Sequence, residues 1–288
     1  MATERVPRVL SIAGSDSGGG AGIQADLKAF ARCGTHGMTA VTAITAQNTV
    51  GVTGVYPLPP EAIVEQVRAV AGDIGVDAVK IGMLGTARTI EAVGQALDLV
   101  PATPVVLDPV MIAESGARLL DEDALDALRT LLMPRVTVTT PNLPEAKVLA
   151  GEQTSGAVLD TSDDAERLAH AIHALGPGAV VITGGHRESA FDLFFDGERS
   201  VEIPGERHPD GAAHGSGCTH SSALAAELAR GADPLEAARR AKLVASDAVR
   251  DGLRDLGAGA GPVDVFGLSC DRGTSTRANR GDRSGAVT

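Results

Sequence analysis

Residues 214–219 (HGSGCT) place one thiol among small residues at the predicted start of a helix. Successive small residues there leave several backbone N–H groups free, and these amides, together with the helix dipole, attract an anion. Cys218 lies in the first turn, where the dipole is expected to lower the pKa of a thiol. The segment therefore predicts an anion site with a candidate catalytic thiol, although a lone cysteine is more often an inert core residue.

A glycine-rich loop at residues 14–22 follows the first predicted strand and precedes a helix. Ligands of open α/β sheets bind at the carboxyl ends of the strands, and glycines let backbone amides approach them closely. Residues 20–25 match G-x-G-x-x-A, but a dinucleotide fold also needs an acidic residue at the end of the second strand, and this strand ends in AQN. The loop is also longer than the tight strand-to-helix turn of a dinucleotide fold. It therefore predicts a ligand other than a dinucleotide, and the alternative is a loop with a purely structural role.

Two later segments carry polar groups at predicted strand ends. Asp108 ends an apolar strand and is expected to point into the same crevice, where a carboxylate could bind hydrated Mg²⁺. Asn142 and Glu145 are spaced as the N-cap and third residue of a helix. Each has a structural alternative, because Asp108 could cap a turn and the other two could form a capping box. The functional interpretation is that they contact magnesium-bound water and phosphate oxygens.

Short apolar runs alternate with amphipathic stretches along the chain, which is typical of a mostly parallel sheet with helices on both faces. We expect strands at 9–13, 39–46, 78–81, 105–107, 136–139 and 180–183, and a hairpin from 191–196 and 200–203. We expect helices at 25–32, 60–71, 86–99, 121–132, 162–175, 216–230 and 233–250. The fold class predicted is therefore α/β.

The composition excludes several classes of partner. The 288 residues have a formal net charge of −12, which argues against nucleic acid or an anionic membrane. Aromatic residues make up 2%, too few for base-stacking platforms. We find no secretory signal and no run of about 20 apolar residues that could cross a bilayer. The three cysteines lie far apart with no C-x-x-C pair, so we expect a reduced, cytoplasmic protein.

Lysine is scarce, since only four of the 25 basic residues are lysines: Lys28, Lys80, Lys147 and Lys242. Such a chain can keep lysine where a compact ammonium is needed, although four solvated lysines are the plain alternative. Residues 1–268 are expected to form one domain, followed by a polar, disordered tail at 269–288. The sequence lacks G-x-x-x-x-G-K-[ST], H-E-x-x-H and G-x-S-x-G, which disfavours P-loop proteins, zinc proteases and α/β-hydrolases.

Seven segments resemble, in order, the hydroxymethylpyrimidine/phosphomethylpyrimidine kinases of thiamine synthesis, in the ribokinase superfamily. They are AGSDSGGGAGIQADLK (13–28), TAITAQNT (42–49), VKIGML (79–84), LDPVM (107–111), TPNLPEA (140–146), GGH (184–186) and HGSGCT (214–219). Together they are far more specific than any one segment, and they span about residue 8 to residue 268. The resemblance implies a ribokinase-like three-layer fold, ATP and Mg²⁺ as cofactors, and a homodimer.

The resemblance further implies that the enzyme phosphorylates the hydroxymethyl group of an aminopyrimidine and then the resulting monophosphate. Asp26 and Gln47 would hold the aminopyrimidine, since a carboxylate accepts from its amine and an amide can both donate and accept. The residues that would complete this pocket are Gly14, Met83 and Val110.

The same resemblance assigns the phosphoryl-transfer groups. The anion hole would consist of Gly215, Ser216, Gly217 and Cys218, with Cys218 as the catalytic candidate. The ATP contacts would come from Asn142, Glu145, Thr183, Gly185 and Lys242. The metal ligands would be Asp108 and Glu145.

The sequence departs from the wider pattern at three points. Ribokinases at large have an aspartate base at the position of Cys218, whereas the pyrimidine kinases have cysteine. Thr183 stands where these relatives commonly have lysine, so one positive contact to the nucleotide is missing or comes from an arginine. Residues 208–213 also differ from the usual run before the anion hole. The alternatives are a pyridoxine or pyridoxal kinase, a nicotinamide oxidoreductase, and a non-catalytic pyrimidine-binding protein.

Overall fold

A nine-stranded sheet forms the centre of the fold, with strand order β3-β2-β1-β4-β5-β6-β7-β8-β9. The computed structural model describes residues 5–113, 116, 118–152, 162–184 and 190–269. The strands are β1 (Arg8–Asp16), β2 (His36–Gln47), β3 (Val52–Pro57), β4 (Ala78–Ile81), β5 (Val105–Leu107), β6 (Val138–Thr139), β7 (Ala179–Ile182), β8 (Asp192–Phe195) and β9 (Ser200–Ile203). The helices are α1 (Gly22–Arg32), α2 (Pro60–Asp73), α3 (Ala87–Leu97), α4 (Ala124–Ala127), α5 (Leu143–Ala150), α6 (Ser162–His173), α7 (Ser216–Ala229) and α8 (Pro234–Arg250).

Helices cover both faces of this sheet and give three layers. Helices α1, α7 and α8 pack on one face around Phe30 and Phe194, which are fully buried. Helices α2, α3, α5 and α6 pack on the other face, around a larger apolar cluster that includes Ile12 and Ile90. Side chains alternate between these two clusters along β1, as the period of two in a strand requires. The predicted α/β architecture with helices on both faces is confirmed.

The strand order changes direction at β1. Strand β1 pairs in parallel with β2 on one side and with β4 on the other, and β5, β6 and β7 continue in parallel. In such sheets the crevice beside the switch in strand order, at the carboxyl ends, is where a ligand fits. The glycine-rich loop and Asp108 both follow strands that end at this edge.

The edges of the sheet are antiparallel. The hairpin predicted from residues 191–196 and 200–203 is present as β8 and β9. Strand β3 is absent from the prediction, because it forms an exposed edge without the apolar run of a buried strand. The helix predicted at 121–132 is wrong in extent, since α4 gives way to a π turn (Leu128–Leu132) and a 3₁₀ turn (Met133–Arg135). Pro134 has no amide hydrogen to continue the helical ladder there.

Two predictions are not tested by this architecture. The single domain over residues 1–268 stays a prediction, and all of the predicted tail except Ser269 lies outside the described residues. Among the helices of the described ranges, none is long and apolar enough to cross a membrane.

Candidate active site

A cavity of about 470 Å³ lies where the carboxyl ends of the parallel strands meet the start of α7. The predicted site residues that line it are Gly14, Gln47, Met83, Asp108, Val110, Asn142, Glu145, Thr183, Gly215, Ser216, Gly217, Cys218 and Lys242. Asp26 does not line it, and Gly185 lies outside the described residues. Segments more than 200 residues apart in sequence thus contribute to one concave surface.

The glycine-rich loop is held in shape by one buried carboxylate, Asp16. Its oxygens accept hydrogen bonds from the amides of Gly18, Gly20 and Ala21 at 2.8–3.0 Å. Nε2 of His214 lies 3.3 Å from Oδ2 of the same carboxylate. Burial opposes ionisation, but the contacts with His214 and with these amides lower the pKa of Asp16 below its ordinary value. The charged carboxylate therefore joins the loop to the segment that precedes α7.

The loop and the start of α7 also touch backbone to backbone. A Cβ on Gly20 would lie 2.2 Å from Cδ2 of His214, and a Cβ on Gly215 would lie 1.8 Å from the carbonyl oxygen of Gly20. Gly215 also has φ +85°, a left-handed conformation that glycine adopts without strain. Neither glycine leaves room for a side chain, so the sequence needs glycine at both positions.

The start of α7 presents free amides to the cavity. The amide of Ser216 donates to the carbonyl of Ala213, and that of Thr219 donates to the carbonyl of Gly215. The amides of Gly217 and Cys218 have no acceptor among the described residues. No acidic side chain occupies the first turn of this 14-residue helix. These two amides and the helix dipole give the cavity a site for an anion.

Cys218 corrects the expectation of a lowered thiol pKa. Partial burial and the nearby carboxylates of Asp108 and Asp26 raise the pKa of its thiol to about 12, although the Lys80 ammonium opposes this change. Burial is the largest of these effects on the thiol. The thiol is therefore protonated at neutral pH and is a poor base in the ligand-free protein.

Asp108 and Glu145 form the acidic part of the cavity, and both are more than 90% buried. Oδ2 of Asp108 accepts from Oγ of Ser221 at 3.0 Å. Glu145 completes a capping box with Asn142, so the structural alternative is correct while both residues also line the cavity. Burial and the charge of Asp108 raise the pKa of Glu145 to about 8. Burial likewise raises the pKa of Asp108.

A cation would relieve the repulsion between these carboxylates, and the donor set suits Mg²⁺. The described residues contain no cluster of three or more His, Cys, Asp and Glu side chains that could hold a metal. Mg²⁺ is usually bound through one or two carboxylates together with water and phosphate oxygens. Oγ1 of Thr140 is a further buried cavity oxygen, and it has no hydrogen-bond partner among the described residues. Asp108 and Glu145 therefore fit such an ion when a phosphate ligand is present.

The position of Asp26 contradicts a second expectation, that this residue contacts the aminopyrimidine directly. It lies on the buried face of α1 and is 0% exposed. Its carboxylate accepts from Lys80 Nζ at 2.8 Å, from Ser222 Oγ at 2.8 Å and from Ser11 Oγ at 2.6 Å. With its oxygens used in this way beneath the cavity, Asp26 is not placed to receive a ligand amine. Lys80, to which the sequence analysis gave no role in the site, lines the cavity, whereas Asp26 does not.

Besides Lys80 and Asp26, the structure contains a second buried ion pair, between Lys242 and Asp192. Nζ of Lys242 donates to Oδ1 of Asp192 at 2.7 Å, and Nε2 of His220 lies 3.2 Å from Oδ2 of Asp192. Asp192 and His220 have no signature in the local sequence, whereas the scarcity of lysine pointed to Lys80 and Lys242. Thr183, in the place of the family lysine, adds only a neutral side chain to the cavity lining.

The end of the cavity that is lined by Gly14, Gln47 and Met83 suits a planar heterocycle. A Cβ on Gly14 would lie 2.9 Å from Cε of Met83, so the glycine lets the methionine approach the loop. Oε1 of Gln47 accepts from Oγ1 of Thr45 at 3.1 Å, and its Nε2 has no acceptor among the described residues. This amide nitrogen is free to donate to a ring nitrogen of a ligand.

We predict that the free energy of unfolding of the metal-free protein depends on Glu145. Because the pKa of Glu145 is raised to about 8 from its ordinary 4.5, the folded protein keeps a proton that the unfolded chain loses. Between about pH 5 and pH 8 wild type should therefore lose up to about 1.4 kcal/mol per pH unit relative to Glu145→Gln. Glutamine keeps the capping box, so it is a matched control. Urea unfolding with a chelator gives both profiles, and parallel profiles would contradict the prediction.

We predict that Gly20→Ala destabilises the protein by about 1–3 kcal/mol, because the new methyl group collides with His214. Gly94→Ala is the control, since a Cβ there meets nothing within 4 Å inside α3. Alanine at this helical position should stabilise by about 0.5–1 kcal/mol. Chemical denaturation measures the free energy of unfolding of both variants. Equal changes in the two would show that Gly20 does not pack tightly against His214.

Comparison with known proteins connects this geometry to one family. The model of the phosphomethylpyrimidine kinase family matches residues 16–264. A hydroxymethylpyrimidine/phosphomethylpyrimidine kinase from Streptomyces coelicolor is 46% identical over 259 residues, which are 90% of this chain and 94% of the relative. The similarity thus extends over nearly all of both proteins.

Solved structures have the same fold. An ADP complex of Bacillus subtilis pyridoxal kinase has a TM-score of 0.83 at 40% identity and covers 92% of this chain and 99% of that one. A phosphomethylpyrimidine kinase from Clostridium difficile has a TM-score of 0.71 at 39% identity and covers 83% and 97%. The ribokinase-like fold is confirmed by these neighbours, and the chain belongs to the phosphomethylpyrimidine kinase family.

Proposed function

We propose that this kinase transfers the γ-phosphoryl group of ATP to 4-amino-5-hydroxymethyl-2-methylpyrimidine and then to the resulting monophosphate, in thiamine diphosphate synthesis. The observation that carries the proposal is that one cavity contains both the free amides of Gly217 and Cys218 and the unpaired amide nitrogen of Gln47. The first set suits a phosphoryl group, and the second suits a pyrimidine. Relatives over 40% identical carry the same two activities in their names.

In the first reaction, the substrate hydroxyl oxygen attacks the γ-phosphorus as the bond to ADP breaks. The amides of Gly217 and Cys218 stabilise the charge on the transferring group, because they are fixed in place before the reaction. Bound Mg²⁺, held by Asp108 and Glu145, would neutralise charge on the phosphates. Cys218 contributes its amide and a thiol hydrogen, and the hydroxyl proton ends on the transferred phosphate. Lys242, with Asn142 and Thr183, would contact the nucleotide.

Pyridoxine or pyridoxal is the second candidate substrate. It is favoured by the pyridoxal kinases among the structural neighbours, one of them solved with an ATP analogue and pyridoxal at 35% identity. Gln47 supports the pyrimidine instead, because its amide complements a ring nitrogen and an exocyclic amine. Comparing kcat/KM for the two acceptors, with products identified by mass, tests the assignment. A preference for pyridoxine would overturn the proposal.

We predict that Gln47→Ala raises KM for the hydroxymethylpyrimidine by about 10–100-fold, the cost of one or two polar contacts in a closed site. The dissociation constant for ADP should stay within about twofold, because Gln47 lies at the heterocycle end of the cavity. Calorimetric titration with ADP and steady-state kinetics give the two constants. Equal losses for both ligands would count against this role of Gln47.

We further propose that the enzyme works as a homodimer in the cytoplasm. Ile44 and Tyr56 are direct cross-strand partners on β2 and β3 and are 53% and 64% exposed, which supports an apolar contact between copies at this edge. Tyr56→Lys is expected to halve the mass measured by light scattering. An unchanged mass would place the interface elsewhere, and a monomeric wild type would exclude the dimer. The reduced Cys33 and Cys218 thiols are consistent with the cytoplasm.

A further inference from the structure

Lys80 occupies a position in β4 where an apolar side chain is expected. Ala78, two residues earlier on the same face of the strand, belongs to the apolar cluster beneath α1 and α7. Lys80 is 0% exposed, yet it forms part of the cavity wall. Burying an ammonium group is unfavourable in free energy unless anions surround it. The position of Lys80 therefore needs a structural or functional explanation.

The surroundings hold this ammonium as a fixed positive charge. Its Nζ donates to Asp26 at 2.8 Å and lies 3.9 Å from Oδ2 of Asp108. A Cβ on Gly82 would lie 2.9 Å from the same Nζ, so the glycine keeps space for the lysine. Burial alone would lower the pKa of Lys80, but Asp26 and the other anionic neighbours raise it above the ordinary value. The lysine is therefore charged at any pH at which the enzyme works.

Carboxylates contribute much of the charge on the cavity lining. The carboxylates that line the cavity include Asp16, Asp108, Glu145 and Asp192. Each buried lysine pairs with one aspartate, Lys242 with Asp192 at 2.7 Å and Lys80 with Asp26 at 2.8 Å, and Lys80 also lies 3.9 Å from Asp108. Lys80 and Asp108 are both buried, and buried charges are screened less by solvent than exposed ones.

The two reactions of the proposed function differ in the charge of the acceptor. In the first, a neutral hydroxyl forms the new O–P bond and gives up its proton. In the second, an oxygen of a phosphate monoester, mostly a dianion at neutral pH, forms that bond and has no proton to lose. In both, the bond from the γ-phosphorus to ADP breaks and ADP keeps the electron pair. An acidic cavity opposes only the second acceptor.

We propose that Lys80 is the residue that lets this cavity accept the monophosphate, by offsetting Asp108 with a positive charge fixed by Asp26. The inference rests on the proposed function. It states that Lys80 favours the monophosphate over the alcohol as the acceptor. ATP and Mg²⁺, in contrast, take part in both reactions. Any effect of Lys80 on those ligands cancels in the ratio of kcat/KM for the monophosphate to kcat/KM for the alcohol.

The test measures this ratio in wild type and variants. Lys80→Met should lower it by about tenfold or more, because the cavity wall loses a buried positive charge that would attract the dianion. Asp26→Asn, which leaves the lysine unbalanced, should raise the ratio or leave it unchanged. Lys242→Met is the matched control, since it breaks the other buried lysine–aspartate pair and should leave the ratio within about twofold of wild type. Lys80→Arg should restore part of the ratio.

Loss of folding does not obscure the result. Should Lys80→Met fail to fold, the double variant Lys80→Met/Asp26→Asn removes both charges of the pair and should still favour the alcohol. Dissociation constants of the alcohol and the monophosphate without ATP give a second readout, with the loss expected for the monophosphate. A ratio that falls alike in Lys80→Met and Asp26→Asn, or in neither, would overturn the proposal. A wild type that phosphorylates neither acceptor would instead refute the proposed function, and the inference with it.

Discussion

The contact between the glycine-rich loop and the start of α7 is the constraint on which the site depends. Gly20 and Gly215 meet backbone to backbone, and the Asp16 carboxylate joins three loop amides to His214. The loop belongs to the first strand and α7 to the last third of the chain, so the contact closes the cavity from both ends of the sequence. This contact fixes the free amides of α7 relative to the glycine-rich loop.

Electrostatics then divides the cavity into regions. Buried carboxylates at Asp108 and Glu145 favour a divalent cation, because burial raises the pKa of both and the charge of Asp108 further raises the pKa of Glu145. The start of α7 adds neutral dipoles that suit an anion. Lys80 and Lys242 each sit against one aspartate, Asp26 and Asp192. Positive charge is thus present, but it is fixed in position by partners beneath or beside the cavity wall.

The sequence predicted the architecture, and most of the residues that it assigned to the site line the cavity. Apolar runs and glycine-rich turns are local signals, and they predicted the parallel strands, the hairpin, the start of α7 and the capping box at Asn142. The edge strand β3 lacked such a signal, because its side chains face solvent. Asp26 was misplaced because its orientation depends on which face of α1 is buried, and that face also carries Ala29 and Phe30.

The remaining differences involve long-range neighbours. Lys80, Asp192 and His220 are single polar residues within apolar or small-residue segments, and their partners lie far away in sequence. The thiol of Cys218 was predicted from the helix dipole alone, since the neighbouring carboxylates come from α1 and the end of β5. A motif can name such a residue, but its proton affinity is set by the assembled surroundings.

The protonated state of Cys218 has a consequence for the reactivity of its sulfur atom. Peroxides and electrophiles react with the thiolate form of cysteine, and a pKa of about 12 leaves very little of it at neutral pH. The cavity thus holds a sulfur atom beside its reaction centre that resists oxidation to sulfenic acid. The surroundings of Cys218 thus favour a chemically inert thiol.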